Sequence, residues 1–179
     1  MSDESAGVPA MKAEKLTLTR AEMSAWNADR VADRVLARRH RQEYNGTSPR
    51  WIWFKELSVR TSFNPQRIDL WVMDTWGRMT AIAYEVKVSR GDFVRELANP
   101  AKREAAMAVS NQFYFAAPRA LIAAEEVPEG CGLVEVHAGI SQVVVRAPRR
   151  EIPPPGWEFL AAVGRRGFRL VREFPEVGR

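Results

Sequence analysis

The sequence predicts an α/β fold, a mixed central sheet flanked by helices, built on an αβββαβ core and followed by a C-terminal hairpin and a basic extension. Three observations carry that expectation. An amphipathic helical pattern near the N-terminus gives way to three strand-like runs at 51–57, 67–73 and 79–88. A helical segment over 91–109 then joins the third run to another apolar run at 113–116, so those two strands should be parallel, with a right-handed crossover. Finally, 179 residues, 46% apolar and 27% charged, suit one globular domain that buries roughly two-thirds of its unfolded surface without a disulfide or structural metal. The single cysteine, Cys131, agrees, because one thiol makes neither a bridge nor a ligand pair. Disulfide scaffolds and zinc fingers are thereby excluded.

The elements follow in order. Residues 1–15 read as a flexible tail without the apolar stretch of a signal peptide. The domain proper is expected over 16–146. Thr19 and Glu22 have capping-box spacing, and Met23, Trp26, Val31 and Val35 recur at helical intervals up to about His40. Arg30, Arg34, Arg38 and Arg41 line the other face among Asp29 and Asp33, a salt-bridged solvated surface. Asn45-Gly46-Thr47-Ser48-Pro49 closes the helix, and Asn64-Pro65 marks a second turn. Asp74-Thr75-Trp76-Gly77-Arg78 then forms a hairpin loop. Ser89 is a plausible N-cap for a helix over 91–98, Asn99-Pro100 breaks it, and an alanine-rich helix continues from Ala101. Residues 133–136 and 140–146 pair around Ala138-Gly139, and 147–179 read as a connector, with Pro153-Pro154-Pro155, leading to a basic extension.

Charge narrows the partners. The chain carries +5 with a pI near 9.8, which suits a polyanion. Residues 146–179 hold eight arginines and four glutamates, so most of the excess sits at that end. The most apolar stretch, 113–124, is broken by Pro118 and Arg119 and falls short of the ~20 residues that span a bilayer. A cytoplasmic protein with no membrane partner is expected, its oligomeric state open.

The hairpin places a charged constellation. Centring its loop on Trp76 sets Met73 opposite Met79 and Asp69 opposite Ala83. Alternation then puts Asp69, Ala83, Glu85 and Lys87 on one face, with the two acids as diagonal neighbours. Ile68, Leu70, Val72, Ile82, Tyr84, Val86 and Val88 fill the other face as core. Charges on such apolar strands need partners or a ligand. A hard cation such as Mg²⁺ takes oxygen ligands from one or two carboxylates, and a neighbouring lysine can hold or deprotonate water and offset charge developing on phosphorus. This is the chemistry of phosphodiester hydrolysis.

Asp69, followed sixteen residues later by Glu85-Val86-Lys87, resembles the D…(D/E)-x-K signature of the PD-(D/E)XK nuclease superfamily. Arg67-Ile68-Asp69-Leu70, Tyr84 to Phe93 and Gln112-Phe113-Tyr114-Phe115-Ala116-Ala117-Pro118 look like the MmcB-like DNA repair proteins over roughly 51–136. Ile68 stands where the superfamily name has proline. The resemblance implies a restriction-endonuclease-like core and a Mg²⁺-dependent, or Mn²⁺-dependent, nuclease acting on DNA in repair or processing. It makes Asp69, Glu85 and the Val86 carbonyl metal ligands and Lys87 the catalytic lysine, with Glu56 as a weaker acidic addition. It also brings Arg90, Lys102 and Arg103, with Arg95, near the scissile phosphate. A non-cleaving DNA-binding module, with the acids retained as an ion-pair network around Lys87, and an RNA-directed member are the alternatives.

Other conspicuous residues point elsewhere. Trp51, Trp53 and Phe113-Tyr114-Phe115 are read as core rather than as base-stacking surfaces. His40 and His137 are isolated and form no ligand or catalytic pair with Cys131. Arg149-Arg150 and Arg165-Arg166 suit either solvent or phosphates.

Overall fold

A computed structural model describes residues 26–60 and 65–173. The expected tail, the Thr19/Glu22 capping box and the turn before Pro65 lie outside them. The first described helix, α1, is Ala28–Arg39, and its N-cap is Asn27, whose Oδ1 accepts from Arg30 N–H at 2.9 Å. Its buried stripe, Val31, Ala32 and Val35, has the spacing of one helix face. A small hairpin, β1 (Tyr44–Asn45) with β2 (Ser48–Pro49), turns through Gly46 at φ 59.

Six strands form the main sheet in the order in which they occur: β3 (Trp51–Arg60), β4 (Pro65–Asp74), β5 (Thr80–Val86), β6 (Gln112–Pro118), β7 (Gly132–His137) and β8 (Ile140–Val145). The sheet is mixed, because β5–β6 and β6–β7 are parallel and the other pairs antiparallel. Between β5 and β6 run α2 (Arg90–Leu97) and α3 (Pro100–Met107). Ser89 Oγ caps α2 by accepting from Asp92 N–H, and Pro100 opens α3, where its missing N–H costs nothing. The last helix, α4, is Trp157–Glu173.

Both sheet faces are core, not one. Leu70, Val72, Ile82, Tyr84, Val86, Tyr114 and Val134 pack with Val31 and Val35 of α1. Trp71, Ala81, Ala83, Phe113 and Phe115 pack on the opposite face with Phe93 of α2, Ala106 of α3 and Phe159 and Ala162 of α4. The one-sided core expected of a simple hairpin is corrected by the parallel strand β6, since helices on its two sides bury both faces.

Two further expectations change. The β4–β5 register pairs Met73 with Ala81 and Trp71 with Ala83, two residues from the predicted pairing. The five-residue connection 75–79 takes positive φ at Met79 as well as Gly77 and so turns later than a loop centred on Trp76. The shift is even, so facing parity in β5 survives. The expected connector and extension over 147–179 is no appendage within its described part. Phe159 meets the Trp71 ring at 5.4 Å, and Arg150 donates to the carbonyls of Gly130 and Ser110 at 3.0 and 3.1 Å. Among the described residues no helix is long and apolar enough to cross a membrane.

Candidate active site at the Glu85-Val86-Lys87 strand end

The site forms where β4 leaves β5. Their paired register ends at Leu70–Tyr84, and one further step would set Asp69 opposite Glu85. Instead, Asp69 Oδ2 accepts from Val86 N–H at 2.8 Å, so a side chain takes the place of a ladder carbonyl. On the other flank of β4 the pairing with β3 skips Glu56, which adopts φ 52, the left-handed region that costs a non-glycine residue roughly 1 kcal/mol. Phe54 and Leu57 of β3, and Trp71 and Ile68 of β4, all join the α2–α4 core, although regular alternation would send the two members of each strand to opposite faces. Both strands therefore change phase at Glu56 and Asp69. Strain of this kind, fixed by its surroundings, is often found at functional sites.

The phase change corrects the predicted shared face. Asp69 lies in the seam between the strands and lines a cavity of about 100 Å³ beneath α1, with Ala28, Ala32, Lys55, Arg67 and Val86. Glu85 and Lys87 keep the alternation of Ala81 and Ala83 and turn toward α2. There Lys87 Nζ donates to Glu85 Oε1 at 2.7 Å and to Glu96 Oε2 at 3.1 Å. All three side chains are nearly sealed, at 8%, 5% and 5% exposure.

Glu96 is the residue that sequence reasoning missed. It stands three positions after Phe93, so both share the buried face of α2. An acid on the stripe otherwise formed by Phe93 and Leu97 was the available signal. Lys55 was missed as well. Its ammonium reaches Asp33 at 2.7 Å and Asp29 at 3.2 Å on α1, closing one wall of the Asp69 cavity. Glu56 lines that cavity too, but its carboxylate is 61% exposed and bridges to Arg67 at 3.3 Å.

Of the predicted phosphate-contacting residues, Arg90, Arg95 and Arg103 have protein partners. Arg90 makes a two-pronged ion pair with Glu126 and lies over the Phe93 ring at 5.4 Å. Arg103 points back to the Glu96 carbonyl, and Arg95 pairs with Asp92. Lys102 lies on α3, with its side chain outside the description. His40 is buried, with Nε2 at 2.8 Å from the Tyr84 hydroxyl, and burial lowers its pKa to about 3 while pushing Tyr84 up to about 12. It stands at the end of α1, as a core polar pair.

The donor set at the strand end is hard: the Asp69 and Glu85 carboxylates and the Val86 carbonyl are oxygens of the kind Mg²⁺ prefers. Asp69 spends Oδ2 on Val86, which leaves Oδ1 for a ligand. Glu85 shares its carboxylate with Lys87. Among the described residues no three His, Cys, Asp or Glu side chains gather into a group that could hold a metal.

No family model matches the sequence. No curated protein matches it either. Among solved structures the chain is similar to a protein of unknown function from Silicibacter pomeroyi, at 20% identity and a TM-score of 0.53, over 72% of this chain and 80% of that one. At that identity the likeness concerns the fold alone, an α/β architecture with a mixed central sheet.

Proposed function

We propose that this chain is a metal-dependent nuclease-type protein of the PD-(D/E)XK kind, similar to MmcB-like DNA repair proteins and hydrolysing DNA phosphodiester bonds. The fold would then be the restriction-endonuclease-like form of the mixed α/β architecture. The observation that carries the reading is the 2.8 Å bond from Val86 N–H to Asp69 Oδ2, which ties the isolated aspartate to the backbone of the acid-x-lysine tripeptide. Nothing in the packing of two apolar strands asks for that aspartate. It lies beside a cavity, next to a strained Glu56, at the point where the strands part.

In this reading the Asp69 carboxylate and the Val86 carbonyl would hold Mg²⁺ or Mn²⁺, Glu85 joining them only by leaving Lys87 on the α2 side of β5, and the ion would polarise a phosphoryl oxygen and acidify water. The chain's own residues do the rest. Val86 N–H orients the Asp69 carboxylate. Lys87, anchored between Glu85 and Glu96 on the α2 side, would add a cation behind the same strand end. Phe93, Phe115 and Ala83 shield the triad from water on the α2 side, which strengthens its electrostatics.

A second reading is favoured by one specific observation. Lys87 is held by two carboxylates at 8% exposure, as in a structural ion-pair network, which would suit a DNA-binding module that does not cleave. One experiment separates them. The purified chain is incubated with Mg²⁺ or Mn²⁺ and single-stranded, nicked, flapped and four-way-junction DNA, beside Asp69→Asn, whose amide oxygen can still accept from Val86. Metal-dependent cleavage that falls at least ~100-fold in the variant supports hydrolysis at this site. Equal cleavage by both proteins would falsify the assignment, and salt-sensitive binding without cleavage favours the second reading.

A further inference from the structure

The arginine-rich end of the chain has a definite place. In α4, Phe159 and Ala162 are buried three positions apart and fasten the helix to the sheet. Arg165, Arg166 and Arg169 follow on the next turns, at spacings that place them side by side. They face β3 and β4 across a cavity of about 260 Å³, whose opposite wall is Glu56, Ser58 and Arg67. Four guanidinium groups thus border one cavity with a single carboxylate, and that carboxylate is bridged to Arg67.

Such an arrangement works against the helix. Like charges four apart, as at Arg165 and Arg169, destabilise a helix, and gathering further cations adds to this. Among the described residues neither arginine has an acidic partner. Arg166 is fixed, because its Nε donates to the Lys55 carbonyl at 3.2 Å. A planar, fixed guanidinium flanked by two others matches phosphate oxygens, which accept in pairs.

The position of the cavity identifies the form of the anion. The smaller cavity at Asp69 also has Glu56 and Arg67 in its wall, so the two spaces adjoin across those residues. A single anion would need only the larger space, whereas a strand held along α4 would run past Arg67 to the mouth of the smaller one, whose wall carries the acids Asp29, Glu56 and Asp69. We propose that Arg67, Arg165, Arg166 and Arg169 form a track for the phosphate backbone of a nucleic-acid strand, leading it from α4 to the Asp69 strand end. The track deepens the nuclease reading and rests on it for the placement of the scissile bond, but binding along α4 is measurable by itself.

The test uses the full chain in EDTA, so that no cleavage intervenes, with a short fluorescent single-stranded DNA as probe, followed by anisotropy from 50 to 200 mM salt. Arg165→Gln/Arg169→Gln is compared with Arg78→Gln/Arg149→Gln, which removes equal charge at the hairpin end of β5, where Arg149 bonds Thr80. Circular dichroism melts confirm that both variants fold. The α4 variant should bind about tenfold more weakly, and its log K against log salt should lose about 1.4 units of slope, roughly 0.7 per phosphate contact on a single strand. The control should keep most of both. Equal effects in the two variants overturn the track, because bulk charge then suffices. Displacement of the probe by inorganic phosphate at the concentration of competing DNA phosphates overturns it as well, in favour of a single-anion site. Binding that depends on α4, in a wild type that never cleaves with Mg²⁺, removes the hydrolase and leaves the track standing. Cleavage that survives with α4-independent binding does the reverse.

Discussion

Two lysines in this molecule are each gripped by two carboxylates, at nearly the same distances and in opposite surroundings. Lys87, just past the end of β5, meets Glu85 at 2.7 Å and Glu96 at 3.1 Å, with all three side chains sealed. Lys55, on β3, meets Asp33 at 2.7 Å and Asp29 at 3.2 Å, and those aspartates are 65% and 81% exposed. Each ties a strand to a helix, Lys87 to α2 and Lys55 to α1. Geometry is shared and the medium is not. In water the attraction between unit charges is a small fraction of its value in a dry interior, and so is the cost of leaving one alone. The comparison teaches that a motif read from sequence as acid-x-lysine acquires consequences from burial, which only the α2 packing supplies.

Removing the ammonium is the harshest way to break that contrast. Lys87→Met leaves two carboxylates facing each other in the interior and should cost about 3–5 kcal/mol, with a fall in Tm of about 10 °C. Urea unfolding measures it, and the triple variant Glu85→Gln/Lys87→Met/Glu96→Gln should recover much of the loss if charge rather than shape is responsible. A loss below ~1 kcal/mol for the single change would class the triad with surface ion pairs.

The α1 side holds a buried polar pair of another kind, and pH separates it from the triad. Burial, aided by Arg39 and opposed by Asp74, holds the His40 pKa at about 3, below the 6.5 of an exposed histidine. The unfolded chain therefore binds the proton first, so stability is full above pH 6.5 and declines as pH falls toward 3. Between pH 6.5 and 4.5 the loss should be about 2–3 kcal/mol. His40→Gln, whose amide can still reach the Tyr84 hydroxyl, should flatten that part of the profile. If the slope persists in the variant, the proton is taken up elsewhere.

Much of this was legible in the order of residues. Alternation in β5 is explicit, because Ile82, Tyr84 and Val86 go one way and Ala81, Ala83, Glu85 and Lys87 the other. Ser89 and Pro100 announce their helices by local chemistry. The phase change at Asp69 was not legible, since it depends on Glu56, thirteen positions earlier and on another strand, accepting a left-handed backbone. Pairing distant segments is beyond any local rule. Glu96 was concealed for a different reason: its partner lies nine residues away, and only the cap at Ser89 fixes the rotation that turns it inward. The packing of α4 was obscured by its own arginines and by Gly164 and Gly167, which weaken a helical pattern whose Phe159 and Ala162 are nonetheless correctly spaced.

The smallest expected effect is at the exposed counterpart. Lys55→Met removes the same two ion pairs that Lys87→Met removes, yet Asp29 and Asp33 regain water at once, so the cost should stay below about 1 kcal/mol. Burial pulls the Lys55 pKa down, but hydrogen bonds to Asp33 and Asp29 outweigh it and raise the pKa above 10.5. A raised cationic pKa adds stability below 10.5 that disappears as pH climbs through the folded value, so the variant and the wild type should differ least in strong alkali. Salt offers the sharper criterion. Raising ionic strength from 0.1 to 1 M shortens the Debye length from ~10 to ~3 Å, which should erase most of the Lys55 effect and leave the Lys87 effect largely intact. Urea midpoints of both variants at the two salt concentrations measure this directly, and a Lys55 loss as large and as salt-resistant as that of Lys87 would show that exposure does not divide the two sites.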